Sequence, residues 1–242
     1  MEKNVYNCSW KWSTNILFYT FYCNNFVVEY NFLFQKKEIG MKTLIHPTYF
    51  PNIEFFSHLL KSKNLIFEIN DFYQKQTFRN RASIYGSNGR LNLIIPVSFS
   101  SSKKEKLKDI RICNNNNWQK NHLKSIQIAY RSSPYFEFFE DHFIEVFEKK
   151  EEFLIDITIK SIRIIFKILE KDLKFKFTSS FQDNYNSNSD FRNLSIRNSK
   201  AKTNIIQPYT QVFETQCGFI SNLSVIDLVF NEGLNSLNYF NN

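Results

Sequence analysis

Apolar residues between positions 41 and 100 fall into short runs separated by turn-forming residues. The run "MKTLIHP" (41–47) predicts a buried strand closed by a proline, and "NLIFEI" (64–69) predicts a second strand. Pro51 and Asn52 mark a helix start between them, because proline is tolerated in the first turn of a helix. Apolar residues follow at helical spacing: Ile53, Phe56, Leu59 and Leu60. Strand, helix and strand in this order predict a right-handed βαβ unit.

The next segment has the pattern of a β-hairpin. The runs "RASIY" and "RLNLIIPV" flank "SNG" (87–89), which is a turn signal between two strands. The run "KDIRIC" (108–113) predicts a further short strand.

Helical spacing dominates the middle of the chain. Trp118, His122, Ile126 and Ala129 are separated by four, four and three residues, which predicts one face of a helix. Pro134 begins a second predicted helix, and residues 151–173 form a third, amphipathic one.

The C-terminal part returns to a strand and a helix. "LKFKFTSS" (173–180) alternates as a strand does, and the Asn- and Ser-rich residues 182–199 predict a loop. Residues 222–233 predict a last helix, capped by Gly233. The expected fold class is therefore α/β, with a small sheet opened by a βαβ unit and a hairpin, a helical middle region and a C-terminal helix.

The first forty residues differ from the rest. Residues 15–34 are largely apolar, but their longest uninterrupted apolar run is 16–23, and a membrane span needs about twenty such residues. No membrane span is therefore expected. No helical or alternating period persists here. We expect residues 1–40 to be a non-homologous extension, with Met41 as the native start of a single domain over 41–240. A poorly inserted anchor is the alternative.

Composition narrows the classes of partner. The chain of 242 residues has 29 Asn and 27 Phe against 3 Ala and 5 Gly, which is typical of an AT-rich genome. Its net charge of +8 is spread, with acids interleaved as in "KKEKLKD" (103–109), so we expect no nucleic-acid partner. The four cysteines form no CxxC, which favours reduced thiols in the cytoplasm and indicates no metal site.

Four phrases in the chain resemble one protein family. They are "YFPNIEFF" (49–56), "QKQTFRNRASIYGSNGRLNLIIPV" (74–97), "WQKNHLKSIQIAYRSSPYFEFF" (118–139) and "YTQVFETQCGFISNLSVIDLVFNEGLNSLNYF" (209–240). Together they resemble the WbqC-like proteins, in the short form found in Bacteroidetes. The family occurs in bacterial O-antigen clusters, so the resemblance implies a role in building or decorating surface polysaccharide. It implies no established reaction and no catalytic residue.

The basic stretch after the second predicted strand is the leading candidate binding site. On an extended segment Arg79 and Arg81 would share one side and Asn80 the other, with Lys75 nearby. Two guanidinium groups can hold a phosphate or a carboxylate through paired hydrogen bonds. Ligands of open α/β sheets gather at the carboxyl ends of strands, where this stretch would lie. Solvated charge at a hairpin margin is the alternative.

Aromatic residues and histidines supply the other candidates. Tyr49 lies on the loop after the first strand, where it would form a binding rim or simply pack. Trp118 and His122 project together from one helix, and Tyr130 follows two turns later. His122 is the best candidate for acid–base chemistry, because histidine titrates near neutrality. A buried Trp–His pair that fixes the helix is the alternative, and His46 is either a base or a structural residue.

These features support two main functional hypotheses. In the first, the protein is a transferase acting on a phosphorylated, nucleotide-linked or carboxylated glycan precursor, which Lys75, Arg79 and Arg81 hold while His122 moves a proton. In the second, it is a non-catalytic module that binds an enzyme or a product of a glycan pathway. Nucleic-acid binding is less favoured. The sequence contains no GxGxxG, Walker, HExxH or GxSxG motif. It therefore indicates no particular cofactor, and the substrate stays open.

Overall fold

The computed structural model describes residues 42–99, 104–185, 189–196 and 207–240, and the backbone of three strands before them. The chain divides into two compact units, Met1–Gly40 and Met41–Asn242.

The first unit contains a three-stranded antiparallel sheet. Its strands are β1 (Cys8–Ser13), β2 (Ile16–Cys23) and β3 (Phe26–Leu33), paired in the order β1-β2-β3. The sequence pattern did not reveal these strands. Apolar residues occupy nearly every position of β2, so it lacks the two-residue alternation that marks a half-buried strand. That residues 1–40 are a non-homologous extension stays a prediction.

The second unit has the mixed α/β composition that the sequence predicts. Its strands are β4 (Lys42–Ile45), β5 (Asn64–Phe67), β6 (Arg81–Gly86), β7 (Gly89–Ile94), β8 (Val97–Ser98), β9 (Arg111–Ile112) and β10 (Phe175–Phe177). Its α-helices are α1 (Ile53–Lys61), α2 (Trp118–Tyr130), α3 (Phe136–Glu148), α4 (Leu154–Ile168), α5 (Glu214–Cys217) and α6 (Val225–Glu232). Short 3-10 helices span Leu107–Asp109, Arg192–Ser195 and Gly233–Phe240.

A parallel sheet built on the βαβ unit positions the candidate site. Strands β4 and β5 are parallel and joined by α1, as predicted, and β10 pairs in parallel with the other side of β5. Asn52 caps α1 through a 2.8 Å hydrogen bond that its side chain accepts from the Phe55 amide. Because all three strands are parallel, their carboxyl ends meet at one edge of the sheet.

The predicted hairpin is present as a sheet of its own. β6 and β7 pair antiparallel, with Gly86 opposite Gly89, and β8 pairs with β9. In the described part of the chain, the hairpin shares no strand pairing with the parallel sheet. The Tyr130 hydroxyl at the end of α2 accepts a hydrogen bond from the Tyr85 amide at 3.1 Å, which ties the hairpin to the helices.

The apolar faces of α3, α4 and α6 meet in the core. Phe143 of α3 and Phe230 of α6 are fully buried, with ring centroids 4.7 Å apart. Helix α4 is shorter than the predicted 151–173. It ends at Ile168, because Glu170 adopts a left-handed conformation (φ 54°) that turns the chain toward β10. None of the helices within the described ranges is long and apolar enough to cross a membrane.

Gly233 ends α6 as predicted, with a positive φ of 58°. A Cβ at this position would lie 2.7 Å from the ring of Tyr135, so both the backbone and the available space require glycine.

We expect Gly233→Ala to destabilise the protein more than Gly218→Ala. Gly218 also has a positive φ, of 71°, but a Cβ there meets nothing within 4 Å. Both variants incur the backbone cost of a positive φ, and only Gly233→Ala adds a steric clash, worth about 1–3 kcal/mol. Urea unfolding of the two variants measures the difference. Equal losses of stability would contradict the clash with Tyr135.

Candidate functional site

Each of the three parallel strands is followed by a polar residue at the carboxyl edge of the sheet. These residues are His46 after β4, Glu68 after β5 and Thr178 after β10. The Glu68 carboxylate is buried, and it accepts hydrogen bonds from the Asn70 amide at 2.7 Å and the Thr178 hydroxyl at 2.9 Å. Glu68 therefore fixes the turn that begins after β5 and leads to Asp71.

Asp71 joins two cationic or ionisable side chains through one oxygen. Its Oδ2 lies 2.9 Å from His46 Nε2 and 3.0 Å from Arg79 Nη2. Burial opposes ionisation of this carboxyl, but the hydrogen bond with His46 and the charge of Arg79 outweigh burial and lower the pKa of Asp71. For His46, burial is the largest effect and lowers the pKa, so the imidazole is neutral at pH 7.

Arg79 is buried, with a relative exposure of 1%. Its Nη1 donates to the Phe72 carbonyl at 2.9 Å, and its Nη2 donates to Asp71 Oδ2 at 3.0 Å. Its Nε has no hydrogen-bond partner among the residues that the structure describes. Burial lowers the pKa of Arg79, and the Asp71 charge opposes this effect, so the guanidinium stays protonated.

The other side of His46 faces the segment 189–196. His46 Nδ1 lies 3.1 Å from the Arg192 carbonyl and 3.2 Å from the Ser195 hydroxyl. The Leu44 amide donates to the Ser189 carbonyl at 2.8 Å, which holds this segment beside β4. Arg192 forms a salt bridge with Asp190 at 2.6 Å. The segment therefore closes one side of the polar network.

The predicted residues on α2 form a second cluster. The Tyr49 hydroxyl donates to His122 Nδ1 at 3.0 Å, and both residues are buried. The Trp118 ring packs edge-on against His122, with ring centroids 5.2 Å apart, and its Nε1 donates to Asn114. Burial lowers the pKa of His122 to about 4, although its hydrogen bond with the backbone of Ile94 opposes the shift. His122 is therefore a neutral hydrogen-bond acceptor at pH 7.

The loop 46–52 contributes to both clusters, through His46 to one and Tyr49 to the other. Its Tyr49 amide donates to the Phe78 carbonyl at 3.1 Å, which attaches it to the loop that carries Arg79. Phe50 has a φ of 36°, which is rare for a bulky residue. Hydrogen bonds with Ser161 and Ser224 hold this conformation. Backbone strain of this kind is typical of functional loops.

The basic stretch differs from the expected geometry. Residues 78–80 form a turn and a bend, and the extended strand begins only at Arg81, so the two-residue alternation does not place Arg79 and Arg81. Asn80 Nδ2 donates to the Ile95 carbonyl at 2.9 Å. Lys75 is exposed, and its Nζ lies 5.0 Å from the centroid of the Phe99 ring.

Tyr73 nevertheless lies close to both arginines. Burial raises the pKa of Tyr73, and the positive charges of Arg81 and Arg79 oppose that shift. The Tyr73 ring packs edge-on against Phe99, with centroids 5.2 Å apart. Lys75 therefore lies over one ring of this aromatic pair, and the charges of Arg79 and Arg81 act on the other.

Tyr130 belongs to a third cluster, away from these contacts. Its hydroxyl donates to Asp227 Oδ1 at 2.8 Å, and the Tyr209 hydroxyl donates to Asp227 Oδ2 at 2.5 Å. The carboxyl group is fully buried, and burial raises the pKa of Asp227. The cluster fixes α6 to α2.

Several polar residues of the sheet edge were absent from the sequence-based candidates: Glu68, Asp71, Asp190, Arg192 and Ser195. The position of Glu68 and Asp71 directly after a predicted strand was a usable signal. Arg192 and Ser195 carried no such signal, because they lie in an irregular segment far along the chain. In the described part of the structure, no group of three or more His, Cys, Asp or Glu side chains could hold a metal ion.

The fold and the sheet-edge network define an α/β protein with a buried polar centre above the carboxyl ends of parallel strands. Residues 46–187 match the model of the WbqC-like protein family. This match covers more than half of the chain, so the chain belongs to that family, which confirms the resemblance seen in the sequence. No curated protein and no solved structure was found to match the chain.

We expect Arg79→Met to destabilise the protein by about 3–5 kcal/mol, because it leaves the Asp71 charge without its buried partner. The double variant Arg79→Met with Asp71→Asn should lose less stability than the sum of the two single variants. Urea unfolding of the four proteins gives the coupling energy.

An exposed ion pair provides the control for this cycle. Lys167 and Glu145 lie 3.5 Å apart and are more than half exposed, so Lys167→Met should cost less than about 1 kcal/mol. Additive losses for Arg79 and Asp71 would show that their charges are not coupled.

Stability should fall as the pH is lowered from about 6.5 to about 4. His122 has a pKa of about 4 in the folded protein and an ordinary value of 6.5 when unfolded. The unfolded state therefore binds more protons in this window, and the loss attributable to His122 reaches about 3 kcal/mol. Unfolding by urea at a series of pH values measures it.

The variant with both Tyr49→Phe and His122→Phe isolates this contribution, because it removes the hydrogen-bonded pair and keeps two rings. Its stability should depend less on pH across the same window. The lowered pKa values of His46 and His58 act in the same direction and remain in this variant. An unchanged pH dependence would mean that His122 is not the group responsible.

Proposed function

We propose that the protein is a transferase-type enzyme of bacterial surface-polysaccharide synthesis, which binds an anionic or nucleotide-linked glycan precursor at the carboxyl edge of its parallel sheet. Membership of the WbqC-like family supports the pathway. The proposal places the protein in the cytoplasm, in keeping with the free thiols of Cys113 and Cys217.

One observation carries the proposal for the site. Arg79 is buried at the carboxyl edge of the sheet, yet its Nε donor has no partner among the described residues. A buried donor without an acceptor is costly, and such groups occur at sites that receive a ligand or a water molecule. We assign Arg79 a direct contact with the ligand through Nε, while Asp71 holds the other edge of its guanidinium group. Arg81 and Lys75 supply net positive charge.

The contacts favour His46 over His122 as the acid–base group. His46 belongs to the same hydrogen-bonded network as Arg79, and Asp71 orients it as a carboxylate orients a catalytic histidine. His122 is engaged by Tyr49 in a separate cluster, which favours a structural role. Proton transfer by His122 stays a prediction.

A non-catalytic binding module is the second candidate. The observation that favours it is the burial of both histidines, since His46 and His122 have relative exposures of 3% and 6%. Proton transfer to a substrate would require the surrounding loops to expose one of these histidines, whereas binding through Lys75 and Arg81 at the margin needs no exposed histidine.

Thermal unfolding with a panel of nucleotide sugars and sugar phosphates tests the binding step. We expect at least one compound to raise the Tm of the unaltered protein. Arg81→Gln and Lys75→Gln should each weaken that ligand by about tenfold or more, because each removes a charged donor. The exposed Lys171→Gln is the charge-matched control and should bind as the unaltered protein does. Equal binding by all three variants would contradict this site.

The fate of the bound compound separates the two candidates. A transferase consumes a nucleotide sugar in the presence of its acceptor or, more slowly, of water, and releases the nucleotide. A binding module leaves the compound intact, and chromatography of the incubated mixture distinguishes the two results.

A further inference from the structure

Buried polar atoms without partners are concentrated in one place. Among the residues that the structure describes, four of the six such atoms belong to Thr48, Arg79, Asn80 and Arg81. These residues lie on or beside two loops, 46–52 and 71–80, which the Tyr49–Phe78 hydrogen bond joins. Buried donors and acceptors are nearly always satisfied in folded proteins, so a local concentration of exceptions marks a site that is completed by something else.

The same two loops carry backbone strain. Phe50 has a φ of 36° and Gln76 a φ of 61°, and neither is glycine. Such conformations persist where the surrounding structure enforces them, and they are typical of segments that clamp a ligand. Two independent features, the unpartnered side-chain atoms and the strained backbone, therefore occur on the same two loops.

The charges at this place do not cancel. Asp71 compensates Arg79, with their atoms 3.0 Å apart, and the charge of Glu68 also acts on Arg79. Arg81 and Lys75 make no ion pair with an acidic group in the described part of the chain. Glu105 lies on the segment that pairs with Tyr73, but it forms no ion pair with either cation. Two positive charges therefore face Tyr73 and Phe99 without a compensating carboxylate.

This charge balance selects among possible ligands. A carboxylate carries one negative charge, whereas a phosphate monoester carries about 1.5 to 2 at neutral pH and offers three strong acceptor oxygens. A sugar diphosphate carries at least as much negative charge. Lys75 and Arg81 are the uncompensated cations, and Arg79 and Arg81 each carry an unpartnered Nε donor. Together these groups match a phosphoryl group better than a lone carboxylate, because tetrahedral phosphoryl oxygens can accept from both guanidinium groups at once.

We propose that Lys75, Arg79 and Arg81 form a phosphoryl subsite, in which the Nε atoms of both arginines donate to the phosphate of the ligand. This inference rests on the proposed function and narrows its anionic precursor to a phosphorylated one. Both Nε atoms are buried, so binding requires loop 71–80 to move away from loop 46–52, with loss of the Tyr49–Phe78 hydrogen bond, when the phosphoryl group enters. Asp71 keeps Arg79 in place from its opposite edge.

Simple anions test the subsite without a choice of sugar. The full chain is titrated with methyl phosphate, pyrophosphate and acetate at constant ionic strength, and binding is followed by the shift in Tm and by amide NMR. We expect a phosphoryl probe to bind at least about tenfold more tightly than acetate. A preference for methyl phosphate points to a sugar phosphate, and a preference for pyrophosphate points to a nucleotide-linked sugar.

Variants of the two uncompensated cations complete the test, because neither contributes to the Asp71 network. Arg81→Gln and Lys75→Gln should each weaken the phosphoryl probe about tenfold, and Lys171→Gln should not. Acetate binding as tight as phosphate, with the same dependence on Arg81, would overturn the phosphoryl subsite and leave the proposed anion site intact. If no probe bound, or if binding did not depend on Arg81 and Lys75, both the subsite and the proposed site would be wrong.

Discussion

The Asp71 carboxylate is shared by Arg79 and His46, and the loops above the parallel sheet depend on this contact. A guanidinium group with 1% exposure needs an opposite charge beside it, because an unpaired buried charge is strongly unfavourable. Asp71 meets that requirement only if the turn after β5 directs it toward β4, and Glu68 fixes that turn. The contact therefore links two neighbouring strand ends into one polar centre.

Two other buried networks organise the structure in the same way. Asp227 accepts hydrogen bonds from Tyr130 and Tyr209, and His122 accepts one from Tyr49. In each network, burial of an unpaired polar group would be unfavourable in free energy, and residues from a distant segment supply its hydrogen bonds. Among the predicted candidates, Tyr49, His122 and Tyr130 take part in these hydrogen bonds, and Trp118 packs against His122. A role of these residues in binding or catalysis stays a prediction.

The sequence predicted regular elements better than it predicted the site. The βαβ unit, the hairpin and the start of α1 follow from short-range patterns, such as the proline and asparagine before α1 and the turn at Ser87–Gly89. The strands of the first unit lacked alternation and were missed. Arg79 was identified as a candidate from the local cluster of cations, but its burial depends on Asp71, His46 and segment 189–196. Asp71 is only 8 residues from Arg79, but His46 and Ser195 are 149 apart, and no local pattern encodes a contact of that kind.

Some members of the sheet-edge network lie far apart in the sequence, and this separation affects the order of folding. His46 and Ser195 are 149 residues apart, and Asn70 and Thr178 are 108 apart. Contacts of such high sequence separation form slowly, since the intervening chain must first be ordered. During synthesis the hairpin β6–β7 can pair as soon as it leaves the ribosome. His46 cannot contact Ser195 until more than a hundred further residues have been synthesised. We therefore expect the contacts with Thr178 and with segment 189–196 to form after those among His46, Asp71 and Arg79, which are only 8 to 33 residues apart. Until the later segments arrive, the loops that carry these three residues are open to water on one side.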